Sequence, residues 1–319
     1  ARFSWFTPYR LRTGVGAALA LERYNLARAP RLYRPARDPS GQRVAWDPIT
    51  GEYRPVAYIG AFVPGSGDPA NGTVLGTDRS YPEGFRRQQP VQVAPRIGFA
   101  YDVTGDGKTA IRGGFGVNKR VLERSGLYIN PAANNPPIVF QPQIFYGSFE
   151  TLMDAKGVLF PSSVNSWQKD DIVPSLYNWS LAIQRSLPWA TVLEVAYVAN
   201  TGRHLLQTVN LNTLPYGARF QPENADATTP GRSLPDDFFR PFPGYGTVTY
   251  YETSGTSNYN ALQVQANRRF GTGLQFGLAY TWSKAMGLGA GEPSGVARYI
   301  SRRVWNYGPL SFDQTHMLV

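Results

Sequence analysis

Few residues in this chain are of types and spacings that break bonds, and the closest pattern is an oxygen-rich one. Asp102-x-Thr104-x-Asp106-Gly107 sets oxygen ligands at alternate positions, as at the start of a calcium loop. Such a loop completes its cage with a bidentate glutamate at the twelfth position, and Gly113 stands there. The same residues suit a tight turn, because Asp106 and Gly107 both tolerate positive φ, and the turn is the reading adopted. His204 and His316 are the only histidines, and neither lies at a metal-ligand spacing. There is no cysteine, which excludes thiolate metal sites and disulfides. No Ser-His-Asp pattern, Walker loop or G-x-S-x-G elbow occurs. Asp170-Asp171 and Asp236-Asp237 fall in loop-like stretches, where adjacent acids are ordinarily solvated. Gly113-Gly114-Phe115-Gly116 resembles a nucleotide loop superficially, but no helical pattern follows, so a close neighbour or a crowded lumen explains the glycines better. The expectation is a protein that is not an enzyme and takes no cofactor or metal.

The elements that position these residues read as paired strands. In Pro95 to Arg120, Ile97, Phe99, Tyr101 and Val103 alternate with Gly98, Ala100 and Asp102. After the turn, Ile111, Phe115 and Val117 alternate with Arg112, Gly114, Gly116 and Asn118. A second hairpin, Leu176 to Val198, places Tyr177, Trp179, Leu181, Ile183, Val195 and Tyr197 on one face. Asn178, Ser180, Ala182, Gln184, Glu194 and Ala196 take the other, with the turn at Leu187-Pro188-Trp189-Ala190. A third, Tyr259 to Lys284, sets Leu262, Val264, Phe276, Leu278, Tyr280 and Trp282 against Gln263, Gln265, Asn267, Gly277 and Thr281, around Phe270-Gly271-Thr272-Gly273. A strand from Leu11 and a last one from Thr315 are also predicted. Long irregular stretches separate the hairpins: Tyr24 to Pro90, Val121 to Pro174, Asn200 to Thr256 and Ala285 to Asp313. Within them, Val56 to Val63 and the region of Val74 are expected to pair locally, and Ile138 to Gly147 to form a loop strand.

Short turns alternating with long loops, on strands of about ten residues, match an antiparallel transmembrane β-barrel with long extracellular loops. A soluble all-β protein explains the alternation equally well, but not the gathering of every long loop at one end. The absence of any run of about 18 apolar residues excludes a transmembrane helix and leaves a barrel untouched. In the barrel reading Phe99, Ile111, Phe115, Leu181, Ile183, Val195, Val264, Phe276 and Leu278 face lipid. Arg112, Asn118, Gln184, Glu194, Gln263, Gln265 and Asn267 face the lumen, where glutamine is better placed than in a dry core. Phe276 is expected near the bilayer midplane, and Trp179, Trp189, Tyr197, Tyr280 and Trp282 near strand ends.

With 32 Lys+Arg against 22 Asp+Glu, the formal charge is +10. No nucleic-acid module accompanies that charge, so nucleic acid is not an expected partner. Arg28, Arg31, Arg34, Arg37 and Arg43 are candidate contacts to lipopolysaccharide phosphates or an anionic ligand, through bidentate guanidinium geometry. The equal alternative is salt bridging within the loops, to Asp38, Asp47 and Glu52.

Four blocks, PRIGFAYDVTGDGKTAIRGGFG, YNWSLAIQRSLPWATVLEVAYVANTGRHL, SNYNALQVQANRRFGTGLQFGLAYTWSKAM and YGPLSFDQTHMLV, resemble in order the barrel segments of TonB-dependent outer-membrane receptors. The resemblance is closest to the Oar-like group, whose members carry an N-terminal carboxypeptidase-regulatory-like domain. It implies a wall of about 22 strands, a plug, and energy supplied through TonB. It also implies residence in the bacterial outer membrane, among outer-membrane lipid and lipopolysaccharide. Residues 1–319 carry no plug, TonB box or regulatory-like domain. They are expected to be part of one barrel domain, the middle of the wall, with roughly eight to ten strands in an incomplete, open sheet. The implied function is import of a bulky, unknown extracellular ligand, with TonB engaged through the missing N-terminal part. The alternatives are a non-transporting, adhesin-like surface scaffold and a soluble secreted all-β binding protein.

Overall fold

A computed structural model describes residues 1–9, 15–120, 128–141, 144–146, 148, 150, 157–269, 273–288 and 307–319. The strands of the first third are short: β1 (Arg2–Ser4), β2 (Ala17–Leu19), β3 (Arg34–Arg37), β4 (Arg43–Trp46), β5 (Tyr53–Arg54), β6 (Thr73–Leu75) and β7 (Gln92–Ala94). They make three small antiparallel sheets, β1–β7, β2–β6 and β3–β4–β5. All three residues of β2 are buried, which corrects the expectation of a wall strand here. Leu11 lies outside the described residues, and Ala17-Ala18-Leu19 has no alternation, so it needs cover on both faces. Val74 pairs with Ala18, and Phe62 bridges to Leu32, so the expected pairing between Val56–Val63 and Val74 does not form.

The rest of the chain supplies the wall and more: β8 (Arg96–Asp102), β9 (Thr109–Lys119), a one-turn helix α1 (Asn130–Ala133), β10 (Ser162–Trp167), β11 (Ser175–Leu187), β12 (Thr191–Asn210), β13 (Tyr245–Arg268), β14 (Phe276–Leu288), β15 (Tyr307–Pro309) and β16 (His316–Leu318). These make one nine-stranded sheet in the order β15-β14-β13-β12-β11-β9-β8, with β10 beside β13 and β16 beside β14. All pairings are antiparallel except β10 with β13, which is parallel. Because β10 sits off the wall and β15 and β16 share one place beside β14, the wall has seven positions among the described residues, beside the eight to ten expected for the whole chain. Among the described residues its outermost strands do not pair with each other. The sheet is open.

The meander puts the β8–β9, β11–β12 and β13–β14 connections at one end and the long connections at the other. Of the third turn, residues 270–272 lie outside the described residues. The first turn departs from the two-residue form expected. Six residues join β8 to β9, and the positive φ values fall on Gly105 (71°) and Gly107 (72°) rather than on Asp106.

Register carries the alternation from strand to strand. Phe99 lies opposite Gly113, Gly113 opposite Leu181, Leu181 opposite Tyr197, Tyr197 opposite Leu262 and Leu262 opposite Trp282. The next row is Tyr101, Ile111, Ile183, Val195, Val264 and Tyr280. Opposite residues share a face, so these rows form one apolar surface, on which Phe99 is 58% and Leu181 50% exposed. Gly113 is where the Gly-Gly-Phe-Gly run has its use: a Cβ there would meet Phe99 Cε1 at 2.4 Å, so the ring lies across the glycine.

Two strands outrun the expected length. β12 has 20 residues and β13 has 24, and their outer halves leave the wall to join the long connections. The extra strand beside them is β10, in a stretch with no predicted element, whereas Ile138 to Gly147 forms no strand among its described residues. Together these pieces make a head with its own hydrophobic core in three clusters. Trp167 lies between Phe85 and Tyr251, stacked at 17° and 10°, with Tyr128 and Ala18 nearby. Tyr33, Ile59, Val63 and Phe160 form the second cluster, and Leu19, Val164, Tyr245 and Val248 the third.

Candidate functional site

Behind the apolar rows, the same ladders gather the polar residues singled out from the sequence. Gln184 lies opposite Ala110 and Glu194, Glu194 opposite Gln265, and Gln265 opposite Ala279. One row toward the loop end, Arg112 lies opposite Ala100 and Ala182, and Gln263 opposite Ala196 and Thr281. Gln184, Glu194, Gln263, Gln265 and Arg112 therefore share one face, interspersed with small residues that leave room above the backbone. Asn118 and Asn267 are on this face but apart from the others: Asn118 accepts from Arg96 Nη2 at 2.8 Å near the loop end, and Asn267 stands opposite Gly277 near the turns. Phe99, Ile111, Phe115, Leu181, Ile183, Val195, Val264, Phe276 and Leu278 are all on the other face. Phe276 begins β14 opposite Arg268, at the turn end rather than the middle, because β14 starts two residues later than Leu274. Trp189 is in a turn, but Tyr197 and Trp282 are in a central row, with the Tyr197 hydroxyl donating to Asn260 Oδ1 at 2.6 Å.

The first turn is self-contained. Asp102 accepts from the backbone N–H groups of Thr104, Gly105 and Gly107, and Asp106 from the Thr104 hydroxyl and the Lys108 N–H. The Thr104 hydroxyl, foremost, and the Lys108 amide hold the Asp106 carboxyl down at about 2. These oxygens are directed into the turn. Among the described residues no group of three or more His, Asp or Glu is placed to hold a metal. His316 stacks on Tyr280 and hydrogen-bonds its hydroxyl at 2.8 Å, while His204 sits at a register shift of β12 with φ 57°.

The head sorts the five arginines. Arg28 pairs with Asp68 at 2.8 Å. The Arg37 guanidinium donates to the carbonyls of Gly41 and Thr228 at 2.8 and 2.9 Å. Arg43 pairs with the buried Asp226 and lies 3.9 Å over the Tyr146 ring. Arg34 lies over the Phe238 ring at 6.0 Å, and the Arg31 side chain has no acid partner among the described residues. The bridging partners are Asp68 and Asp226, not Asp38, Asp47 or Glu52. The reason is local: Asp38 accepts from Ser40 and Gln42, Asp47 from Ile49 and Thr50, and Glu52 pairs with Arg54.

Two acids read as solvated are in fact part of the head's interior. Asp171 pairs with Arg86 at 2.6 Å and Asp237 with Arg240 at 2.7 Å. Burial pushes both carboxyls up, against the pull of their arginines. Their neighbours, Asp170 and Asp236, stay outside, bonded to Arg87 and Arg219. In each pair the backbone turns one acid in and one out, which no spacing could reveal.

The model of the outer membrane beta barrel domain family matches residues 41–319. No curated protein matches the chain. Among solved structures, the outer membrane transporter YddB from Escherichia coli is similar at 10% identity and a TM-score of 0.36, over 62% of this chain and 20% of that one. The chain thus spans about a fifth of that structure's length.

Proposed function

The chain belongs to the outer membrane beta barrel domain family and lies in the bacterial outer membrane, and on that premise we propose that it is part of the wall and capture surface of a TonB-dependent receptor of the Oar-like group. The soluble secreted reading falls with that membership. The long-loop end faces outward, and its head binds a bulky extracellular ligand. TonB, acting through the receptor's N-terminal part, then drives passage along the polar face that Arg112, Gln184, Glu194, Gln263 and Gln265 line. No chemical step is involved, and no cofactor. Lipid and lipopolysaccharide surround the apolar rows. The observation that supports this reading is the joining of two features on the same strands: β12 and β13 carry the polar row in their inner halves and the ordered head on their outer halves. A binding surface is thereby coupled by continuous backbone to a passage.

The adhesin-like alternative is favoured by a different feature, Tyr216 and Phe220 in the β12–β13 connection, 87% and 91% exposed. Two experiments on the full-length protein test the proposal. Since this chain has no cysteine, Tyr216→Cys should react with an impermeant maleimide on intact cells, and Asp106→Cys only after permeabilisation. The reverse pattern would invert the topology and end the proposal. Growth on a panel of polymeric and chelated nutrients, with and without TonB, separates the two functions. TonB dependence supports import; surface binding indifferent to TonB on every nutrient supports the scaffold.

A further inference from the structure

Three of the five clustered arginines are engaged inside the head, and the two that are not share one depression. Arg31 and Arg34 both line a hollow of about 230 Å³ whose other walls are Pro30, Leu32, Pro48, Phe238 and Pro243. Their backbone is fixed. The Arg31 N–H donates to Ser66 Oγ at 2.9 Å, its carbonyl accepts from the Val63 N–H at 2.9 Å, and Arg34 opens β3 opposite Trp46. Both side chains are exposed, and among the described residues neither has an acid partner. One carboxylate, Asp237, does line the hollow, but it is 5% exposed and bonded to Arg240 Nε at 2.7 Å. The adjacent Asp236 is held in a fork by Arg219 at 2.9 and 2.8 Å. Two guanidinium forks therefore stand uncompensated over walls made largely of proline and phenylalanine. Proline contributes no N–H donor, so the polar recognition available there comes mainly from the two arginines.

We propose that this hollow is an anion-binding subsite of the head, taking a carboxylate or phosphate group carried on an apolar or aromatic body. The guanidiniums would take the anion's oxygens bidentately, while the prolines and Phe238 cover the body. At about 230 Å³ the hollow is below the range of roughly 300–1,000 Å³ for a whole drug-sized ligand, so it holds the end of a larger molecule. That end can belong to a free nutrient or to a lipopolysaccharide phosphate; the recognition chemistry is the same. The proposal rests on the head being the capture surface, but it does not require transport.

The test uses the full-length protein in detergent micelles, with 2-naphthoate as probe, 2-naphthamide as its uncharged counterpart, and binding followed by calorimetry. Naphthoate should bind saturably and naphthamide at least about tenfold more weakly, as expected for loss of a charge-assisted contact. Arg31→Gln and Arg34→Gln should each weaken naphthoate about tenfold, and the double variant should abolish binding. Arg28→Gln, at an arginine already paired with Asp68, should leave it unchanged. Arg31→Lys with Arg34→Lys keeps the charge and should bind weakly but measurably, which separates recognition from damage to the head. Competition by lipopolysaccharide, lost on its dephosphorylation, would identify the lipid as the natural source, and lack of competition a free anion. Equal binding of naphthoate and naphthamide, undiminished binding by the double variant, or no saturable binding of naphthoate would overturn the subsite. Should probe binding persist while nutrient uptake ignores TonB, the transport reading fails and the subsite stands.

Discussion

The wall and the head are built from similar residues arranged inside out with respect to each other. In the wall, Phe99 and Leu181 are half exposed or more, while in the head Phe160 and Trp167 are 1% and 5% exposed. The wall sends its apolar side chains away from its own backbone partners because lipid will cover them. The head must hide its own from water, and so folds the long connections around three clusters. Polar groups invert as well. Gln184, Glu194 and Gln265 lie in an open row, whereas Asp171, Asp226 and Asp237 are buried against arginines. A loop of this length stays ordered because it has a core, not because the barrel holds its ends.

The largest test of that contrast is Trp167→Ala. Removing the central ring of the Phe85–Trp167–Tyr251 stack should destabilise the head by about 3–5 kcal/mol. In the full-length protein the head should become protease-sensitive while the barrel keeps its heat-modifiable electrophoretic band. Simultaneous loss of that band would show that the two regions fold as one.

Arginine scanning sharpens the wall. Leu181→Arg, in a central apolar row, should cost about 2–4 kcal/mol of stability in lipid, and Phe276→Arg, at the turn end, only about 0–1. Gln265→Arg, on the polar face, should be tolerated. Measured by refolding into bilayers, equal effects at Leu181 and Gln265 would remove the assignment of faces.

A smaller effect is expected at Gly113. Gly113→Ala puts a Cβ into the space of the Phe99 ring, which can swing aside into lipid, so the expected cost is about 1 kcal/mol. The companion Phe99→Ala, Gly113→Ala double variant should recover that increment in a double-mutant cycle. Strict additivity would show that the ring and the glycine do not interact.

The smallest effects depend on pH, and here the two regions should respond in opposite directions. The Asp106 carboxyl, held at about 2 chiefly by the Thr104 hydroxyl, supports its turn above the ordinary carboxylate range. That support is lost as pH falls toward 2. Asp171 is raised, mainly by burial, so its contribution is fullest below its unfolded value and is lost as pH rises through its folded one. Amide exchange, corrected for intrinsic rates, should quicken at Lys108, whose N–H donates to Asp106 Oδ1 at 3.0 Å, only in strong acid. At Ile172, whose N–H donates to Thr253 Oγ1 at 3.0 Å, it should slow slightly between neutral pH and about 4. A change of the same sign at both sites would contradict the contrast in burial.

Much of the wall was legible because a strand's side-chain period is two, and lipid on one face and polar surroundings on the other write that period into residue type. Leu262-Gln263-Val264-Gln265 declares its two faces without any knowledge of its neighbours, and the turn at Leu187 to Ala190 marks where the chain reverses. Strand ends were less legible. Gly-Thr-Val-Thr-Tyr-Tyr, at the start of β13, alternates no differently above the membrane than within it, so its extension into the head left no mark. The head itself was decided by tertiary structure. Arg43 meets Asp226, Asn135 bonds the carbonyl of Ala17, and Tyr245 that of Asn71, all across wide sequence separations. Irregular backbone has no repeat through which a sequence can announce such partners. Which arginines of Arg28 to Arg43 remain free for a ligand follows from where distant acids come to rest, and only the folded connections place them.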